Sequence, residues 1–555
     1  MGRVRTQRQG RRAACKGAPV ARPPPVCSRG ANEGTACLVP GERTGNRGVP
    51  CGVSLREYWL RFPWLLLAAA LALVGLGIAG IYAAAAGTEG VSFWDTLAAR
   101  QLGWLAVALV VFALALAPSY ARLARLSYAL YGATILVLTA MAVMRHYDVV
   151  IPGFIQPITK ARVYSWITVP GTSVKVQPSE LTKIAFIMSL AYYLRYRKNY
   201  RTMRGLLAPF AMALAPTVLI LTAADLGTAM LFLPILFVML FAAGARAKHL
   251  LAIIGMGAVM VPVFYSSMKG YQRLRIDSWL LTPCAERMHF ALASPPQEPE
   301  PADADRAKDP GAEPEGAGKP ASGSSLAAGP LRLTDAEKAD LVRQITGMWR
   351  FRLWRLATAI SWGKDRAEYA EARDKLFASL QAEPGPESFT GLRYFFAYML
   401  DNIGYQLFQA KVAVGSGGLA GQGWRKGTQT RYGLLPEAQT DFLFPTLAEQ
   451  FGFIGAAGII ILYALLCLLG IDVSVSTPEP YGRLLVIGVV ALLAAQSFLN
   501  IAMSIGLMPV TGIPLPLMSY GGSSLLSSFL ALGLLANVAV RRLWLIAPRP
   551  FEWRE

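Results

Sequence analysis

YQLFQAKVAVGSGGLAGQGWRKGTQTRYGLLPEAQTDFLFPTLAEQFGFIG, residues 405–455, is the stretch on which the reading of the fold turns. Six glycines fall between Gly415 and Gly427. That is too many for a helix interior and suits a structured loop whose backbone folds tightly around something. Glu437 and Asp441 then stand just before an apolar run that begins near Phe451 and is long enough to cross a bilayer. The two carboxylates therefore sit where membrane meets water, a costly place for a charge that serves no purpose.

The chain on either side fits a membrane protein. Of its 555 residues 54% are hydrophobic and 16% charged, and the mean hydropathy is +0.40, which excludes an ordinary soluble enzyme. Seven apolar spans are expected near 64–84, 101–117, 126–144, 179–194, 206–223, 226–244 and 249–267, and three more near 448–470, 483–505 and 521–540. The fold class is thus an all-α polytopic bundle of about ten transmembrane helices. A formal charge of +20 would suggest nucleic acid in a soluble protein. Here Arg122, Arg125, Arg195, Arg197, Lys198, Arg201, Arg204, Arg246, Lys248, Arg541 and Arg542 gather in loops on one side. By the positive-inside rule that side is cytoplasmic, as are both termini, and no nucleic-acid partner is called for.

Five regions follow from this pattern. Residues 1–58 form a basic tail with Pro23–Pro25 and no apolar stretch that could act as a signal, expected to be disordered. Residues 59–283 hold spans one to seven. Residues 284–394 are an extracytoplasmic insertion, low-complexity and acidic over 295–325, then amphipathic with Leu341, Ile345, Trp349, Leu353 and Leu356 at helical spacing behind Thr334 and Asp335. The insertion reads either as a spacer with one or two surface helices, appended to the bundle, or as a partner-binding module. Residues 395–545 carry the glycine-rich loop and spans eight to ten, and 546–555 a cytoplasmic tail.

Four ionisable residues interrupt or border the spans: Glu180 and Lys183 in QPSELTK, Asp225 in TAADLGTA and Asp441 in AQTDF. Glu180 and Lys183 share a helix face and could simply neutralise each other. Asp225 could cap the sixth span. Span parity nevertheless brings all of them to one level, together with the broken segment Pro509–Pro516 and Ser519–Ser524. Irregular backbone at membrane depth is tolerated mainly where it lines a cavity, so the elements describe a polar pocket suited to an amphiphile with an anionic head. Three histidines and six scattered cysteines offer no metal-site pattern. No cofactor is evident, and a divalent cation is possible without a ligand cluster to hold it.

The stretches VQPSELTK (176–183), ADLGTA (224–229), GSGGLAGQGWRKGTQ (415–429), LLPEAQTDFLF (434–444), LAEQFGFIG (447–455) and GLMPVTGIPLPLMSYGGSS (506–524) resemble the SEDS family of RodA and FtsW, and its elongation branch, RodA, more than its division branch. The resemblance runs over roughly 60–545 without the insertion. It implies a peptidoglycan glycosyltransferase of the bacterial cytoplasmic membrane, active site outward. Such an enzyme polymerises lipid II into glycan strands linked to undecaprenyl diphosphate, beside a class B penicillin-binding protein as transpeptidase.

The resemblance makes Asp441 the catalytic aspartate. Glu180, Lys183 and Asp225 match the family's characteristic polar positions. Inverting transfer onto a hydroxyl needs one base and support for a leaving diphosphate, so Asp441 is expected as the base, with Lys183, Arg162 and Lys411 as candidate cations. Burial beside Glu437 is expected to raise the Asp441 pKa against the lowering by Lys183. Glycine amides of 415–418 and 521–522 could form a phosphate nest. Glu437, Thr440, Gln429 and Ser523 complete the candidate substrate-binding set. The family's HTDF reads Gln439-Thr440-Asp441-Phe442 here, so a histidine partner for the base is expected to be dispensable. A lipid flippase and a noncatalytic scaffold remain as alternatives for the same pocket.

Overall fold

The computed structural model describes residues 61–85, 93–147, 166–168, 175–195, 197, 201–223, 225–268, 270–292, 335–360, 367–381, 386–399 and 404–541. The N-terminal tail with its four cysteines, Arg162, Thr334, the low-complexity run 295–325 and the tail 546–555 lie outside them. Within them the chain is helical apart from one two-residue antiparallel pair, β1 (Ile167–Thr168) and β2 (Lys175–Val176). A bilayer leaves no water for backbone groups, so a helix, which satisfies its own, is what each apolar run must form.

Nine helices among the described residues are long and apolar enough to span: α1 (Trp64–Ala84), α2 (Leu97–Leu116), α3 (Tyr120–His146), α5 (Leu207–Thr222, with a short 3-10 lead from Arg204), α6 (Leu226–Ala243), α7 (Ala247–Ser267), α15 (Leu443–Val475), α16 (Pro480–Ser504) and α17 (Gly522–Arg541). Between α3 and α5 stands α4 (Pro178–Leu194), 17 residues, buried along almost its whole length. A helix meets each of the ten expected positions, nine of them long and apolar enough to span. Local chemistry sets several ends: Pro178 and Pro480 occupy first-turn positions where a missing N–H costs nothing, and Gly244, at φ +95°, closes α6.

α16 and α17 are central, with 72% and 89% of their apolar windows buried, whereas α7 is only 6% buried and lies at the periphery. α17 packs along α2, α3 along α4, and α16 against α15, α6 and α4. Leu73, Phe186, Phe232, Val489 and Phe529 are among the residues of this continuous core.

Beyond α7 the chain turns into α8 (Gly270–Leu292), then α9 (Asp335–Gly347), α10 (Trp349–Ile360), α11 (Ala367–Ser379), α12 (Pro386–Tyr398) and α13 (Tyr405–Ser416). Here the expectation of a simply appended insertion is corrected. α8 runs through position 284, and its Leu280, Leu281, Cys284, Ala285 and Met288 share one core with Leu341, Ile345, Trp354, Leu376 and Phe395 of α9–α12. The amphipathic spacing over 341–356 divides between α9 and α10: Leu341 and Ile345 are buried, while Trp349, Leu353 and Leu356 remain exposed. Trp354, fully buried, packs on Phe351, Phe377 and Phe395 with ring centroids 5.4–5.5 Å apart. Truncating such an anchor removes its transfer energy and leaves a cavity. Trp354→Ala should cost this unit about 3–5 kcal/mol, read as faster amide exchange across α9–α12 with protection of α16 and α17 unchanged.

Candidate active site

At the pocket end of the bundle the polar residues fall into three hydrogen-bonded groups and one exception. The first group is buried. Lys183 Nζ lies 2.8 Å from Glu180 Oε1 and 3.4 Å from Gln496 Oε1. Ser527 donates to Glu180 Oε2 at 2.6 Å, and Gln496 Nε2 donates to the Pro514 carbonyl at 3.0 Å. A charge removed from water must be matched or it destabilises the fold, and this set joins α4, α16, α17 and the broken 509–516 segment. Lys183 is 1% exposed and already engaged, so its reading as diphosphate support is corrected to that of a structural partner.

In the second group Asp225 caps α6, accepting from Thr228 N at 3.0 Å and Thr228 Oγ1 at 2.7 Å. Gln177 Nε2 donates to its other side at 2.8 Å, while Gln177 N donates to Ser523 Oγ at 3.1 Å. The starts of α4, α6 and α17 are thereby fastened together.

The third group concerns the glycine-rich loop, which is closed on α15. Glu449 of α15, fully buried, accepts from Gln429 N at 2.7 Å, Thr430 N at 3.1 Å and Thr430 Oγ1 at 2.6 Å, capping the short α14 (Thr428–Arg431). α15 breaks at Gly452, φ +66° and ψ −163°, where a Cβ would stand 2.3 Å from Gly421 N. The amides of Gln422 and Gly423 bond the carbonyls of Glu449 and Gln450 at 2.9 and 3.1 Å, and Gly418 N and Gly521 N bond Gly415 O and Gln101 Oε1. Of the amides expected in a phosphate nest, that of Gly418 closes the end of α13 and that of Gly521 is bound at the start of α17, while the neighbouring amides of Gln422 and Gly423 hold the kink of α15. Lys411, on α13, is likewise engaged, 2.6 Å from both oxygens of Glu286 on α8.

Asp441 differs from all of these carboxylates. It is partly buried in the loop just before α15, and among the described residues no group donates a hydrogen bond to its carboxylate. Its backbone is fixed instead. Asp441 N donates to Glu437 O at 3.1 Å, and Asn500 Nδ2 donates to Asp441 O at 2.9 Å and to Ile513 O at 2.7 Å. Thr440 Oγ1 reaches Glu437 Oε2 at 3.0 Å, and Tyr520 N bonds Gln439 O at 2.9 Å. A small core of Leu407, Ala410, Leu435, Phe442 and Val510 supports the loop from behind.

Across Gly512 stands Arg275 of α8. A Cβ on Gly512 would lie 3.5 Å from Arg275 Nη1 and 3.5 Å from Asp441 Oδ2, and Gly512 has φ +73°, so both space and backbone favour glycine. Arg275 Nη1 also donates to Val510 O at 3.3 Å. Burial pushes the Asp441 carboxyl up to about 6; Glu437 adds to the rise, Arg275 opposes it, and Asp225 adds a little more. The expected contest is thus won by burial and Glu437, but the opposing cation is Arg275 and not Lys183. Among the described residues no three His, Cys, Asp and Glu side chains are grouped to hold a metal ion. Beside the Asp225 group an apolar cavity of about 400 Å³ opens between α3, α4 and α17, lined by Leu130, Val137, Leu181, Ile184, Met188 and Leu530.

Sequence reasoning missed Arg275, Asn500, Gln496 and Glu449. The last three are polar side chains inside apolar runs, a signal present but not weighed. Arg275 gave no such signal, since only the tertiary fold carries α8 to Gly512. Asn500→Ala leaves the Asp441 and Ile513 carbonyls without their donor, at a cost of about 1–3 kcal/mol, and should lower the unfolding temperature in detergent.

A family model described as FTSW_RODA_SPOVE, cell cycle protein, matches residues 63–287 and 389–543, the gap holding α9–α11. The peptidoglycan glycosyltransferase RodA of Treponema pallidum is 28% identical over 497 residues, 87% of this chain and 98% of that one. The peptidoglycan glycosyltransferase MrdB of Escherichia coli K12 is 41% identical over 139 residues, 25% of this chain and 38% of its own. A solved structure described as "Structural coordination of polymerization and crosslinking by a peptidoglycan synthase complex" contains a chain of the same fold, with TM-score 0.53 and 23% identity, covering 88% of this chain and 100% of its own. With both matched blocks covering the membrane helices and the Asp441 loop, this chain belongs to the FtsW/RodA/SpoVE family of cell cycle proteins.

Proposed function

We propose that this multi-pass membrane protein is a peptidoglycan glycosyltransferase serving cell shape, with Asp441 as general base and Arg275 as support for the leaving diphosphate. The relatives that carry this activity in their names support the reaction class. The observation that carries the base is local: Glu180, Asp225 and Glu449 are engaged by protein donors, whereas the Asp441 carboxylate accepts from none among the described residues. A carboxylate raised to about 6 is ionised at neutral pH yet more basic than an ordinary aspartate.

The 4-hydroxyl of one lipid-linked disaccharide attacks the anomeric carbon of another, forming the glycosidic C–O bond as the C–O bond to the diphosphate breaks with inversion. Asp441 takes the hydroxyl proton. Negative charge gathers on the departing lipid diphosphate, and the Arg275 guanidinium across Gly512 meets it in a partly dehydrated site where charge acts strongly. The 400 Å³ apolar cavity suits an isoprenoid chain of lipid II. A divalent cation, where the reaction uses one, would enter with the diphosphate. Arg122, Arg125, Arg246 and Arg541 occupy helix ends opposite those that bear the site, which supports an outward-facing site in the bacterial cytoplasmic membrane. A class B penicillin-binding protein as partner is supported by the synthase complex that shares the fold.

The test is polymerisation of fluorescent lipid II by the purified protein with its transpeptidase. Asp441→Asn should reduce it by roughly 100- to 10,000-fold with expression intact. Activity at anything near the parent rate would place the base elsewhere, and leaflet transfer without strands would make the protein a flippase. The rate should rise with pH through about 6, as the base loses its proton. Glu437→Gln removes a neighbouring negative charge, so it should move that rise to lower pH with only a mild loss of rate.

A further inference from the structure

α8 has two working faces. One carries Arg275, Trp279, Thr282 and Glu286, spaced as successive turns of one side. Arg275 reaches Val510 O, Trp279 Nε1 donates to Gly506 O at 3.0 Å, and Glu286 holds Lys411. This face lies on the segment that leads to Gly512 and Asp441. The other face carries Asp277, Leu281, Cys284 and Met288, all 0–2% exposed and turned into the inserted helices.

That second face carries the carboxylate of Asp277, fully buried, one turn after the buried Arg273, whose Nε donates to Met268 O at 3.2 Å. Tyr369 of α11 donates to Asp277 Oδ2 at 2.8 Å and itself accepts from Trp354 Nε1 of α10 at 3.1 Å, while Tyr265 at the end of α7 donates to Asp277 Oδ1 at 2.5 Å. Burial and the Asp277 charge hold the Tyr369 hydroxyl well above its ordinary range, so it remains a donor at neutral pH. Arg350 of α10 donates to the Trp279 carbonyl at 3.2 Å and lies over its ring at 5.0 Å. Trp279 also packs on both the inserted core and the small core behind Asp441.

We propose that the inserted helices set the position of Arg275 through the Trp354–Tyr369–Asp277 hydrogen-bond line, with Tyr369 as a positioning residue that never touches substrate. Asp277 and Arg275 are two residues apart on one rigid helix. A buried carboxylate with fixed donors cannot slide or rotate without losing them, so fixing Asp277 fixes the register at which the guanidinium faces Gly512. The inference rests on the reading of Asp441 as base with Arg275 beside it.

Tyr369→Phe keeps the ring and removes the donor. Lipid II polymerisation by the full-length protein with its transpeptidase should fall roughly 5- to 20-fold, within the range of interaction energies measured for coupled residues. The pH at which the rate rises should move upward, because Asp441, flanked by Glu437, Asp225 and Arg275, loses part of the cation that lowers its pKa. A double-mutant cycle isolates the route: Tyr369→Phe added to Arg275→Ala should cost almost nothing further. Leu392→Ala, in the same core but off the line, should weaken the unit without moving the pH profile. Where Tyr369→Phe does not purify, Trp354→Phe removes the preceding donor and takes its place. An unmoved pH profile, or additive losses in the cycle, would overturn the proposal. A parent enzyme with no acid limb near pH 6 and a fully active Asp441→Asn would instead refute the assignment of the base.

Discussion

A carboxylate taken out of water must be neutralised, bonded or put to use, and the pocket end of this bundle is built around that constraint. Glu180 is matched by Lys183 and Ser527, Asp225 by the start of its own helix and by Gln177, and Glu449 by the backbone of α14. Each match draws on a different element, so satisfying the charges also fastens α4, α6, α14, α15 and α17 to one another. The same networks leave the irregular segments between Gly506 and Gly521 little freedom, since Gln496, Asn500 and Gln101 bond their carbonyls or amides. Asp441 is held by its backbone, and among the described residues none donates to its carboxylate, which is what the proposed role of a base would require.

α8 brings a further charge to this arrangement from outside the apolar spans. Its first turns supply Arg275, and its later turns are covered by α9–α11, which lie in the gap of the family match, together with α12, which lies largely within the match. The inserted helices consequently cannot be treated as cargo on a finished enzyme. Removing them would bare Leu280, Leu281, Cys284 and Met288 and leave Asp277 without its Tyr369 donor, on the same helix that faces Gly512. Burial pushes the Cys284 thiol up to about 12, so this cysteine is core filling and not a reactive group.

The spans were legible because length and apolar content decide them: the expected 226–244 and 483–505 meet helices Leu226–Ala243 and Pro480–Ser504. The short fourth span was legible too, although two charges interrupt it, because Glu180 and Lys183 stand one turn apart and neutralise each other. Asp441 and Glu437 could be read as one unit from their spacing. What the sequence could not convey was which cation meets the base. Lys183 and Lys411 were plausible by type, and each is consumed by a carboxylate, one three residues away and one 125 residues away in sequence. Nothing local distinguishes Arg275 from them; its place across Gly512 follows from a helix crossing that only long-range packing determines. The glycine-rich loop misled for a related reason, since the same glycines that suit a phosphate nest also suit close approach to a broken helix, and here the helix takes the amides.

Leaving one carboxylate unsatisfied has a chemical return that can be put in numbers. With a pKa of about 6, Asp441 is mostly ionised at pH 7, while its affinity for a proton stands well above that of an ordinary aspartate near 3.9. Deeper burial without Arg275 would carry the value higher and withdraw the base from use at neutral pH. Fuller hydrogen bonding, of the kind given to Glu449, would favour the ionised form and spend its basicity. Gly512 keeps the guanidinium close enough to moderate the carboxylate without a side chain between them, so in the proposed reaction one cation would both temper the base and face the departing diphosphate.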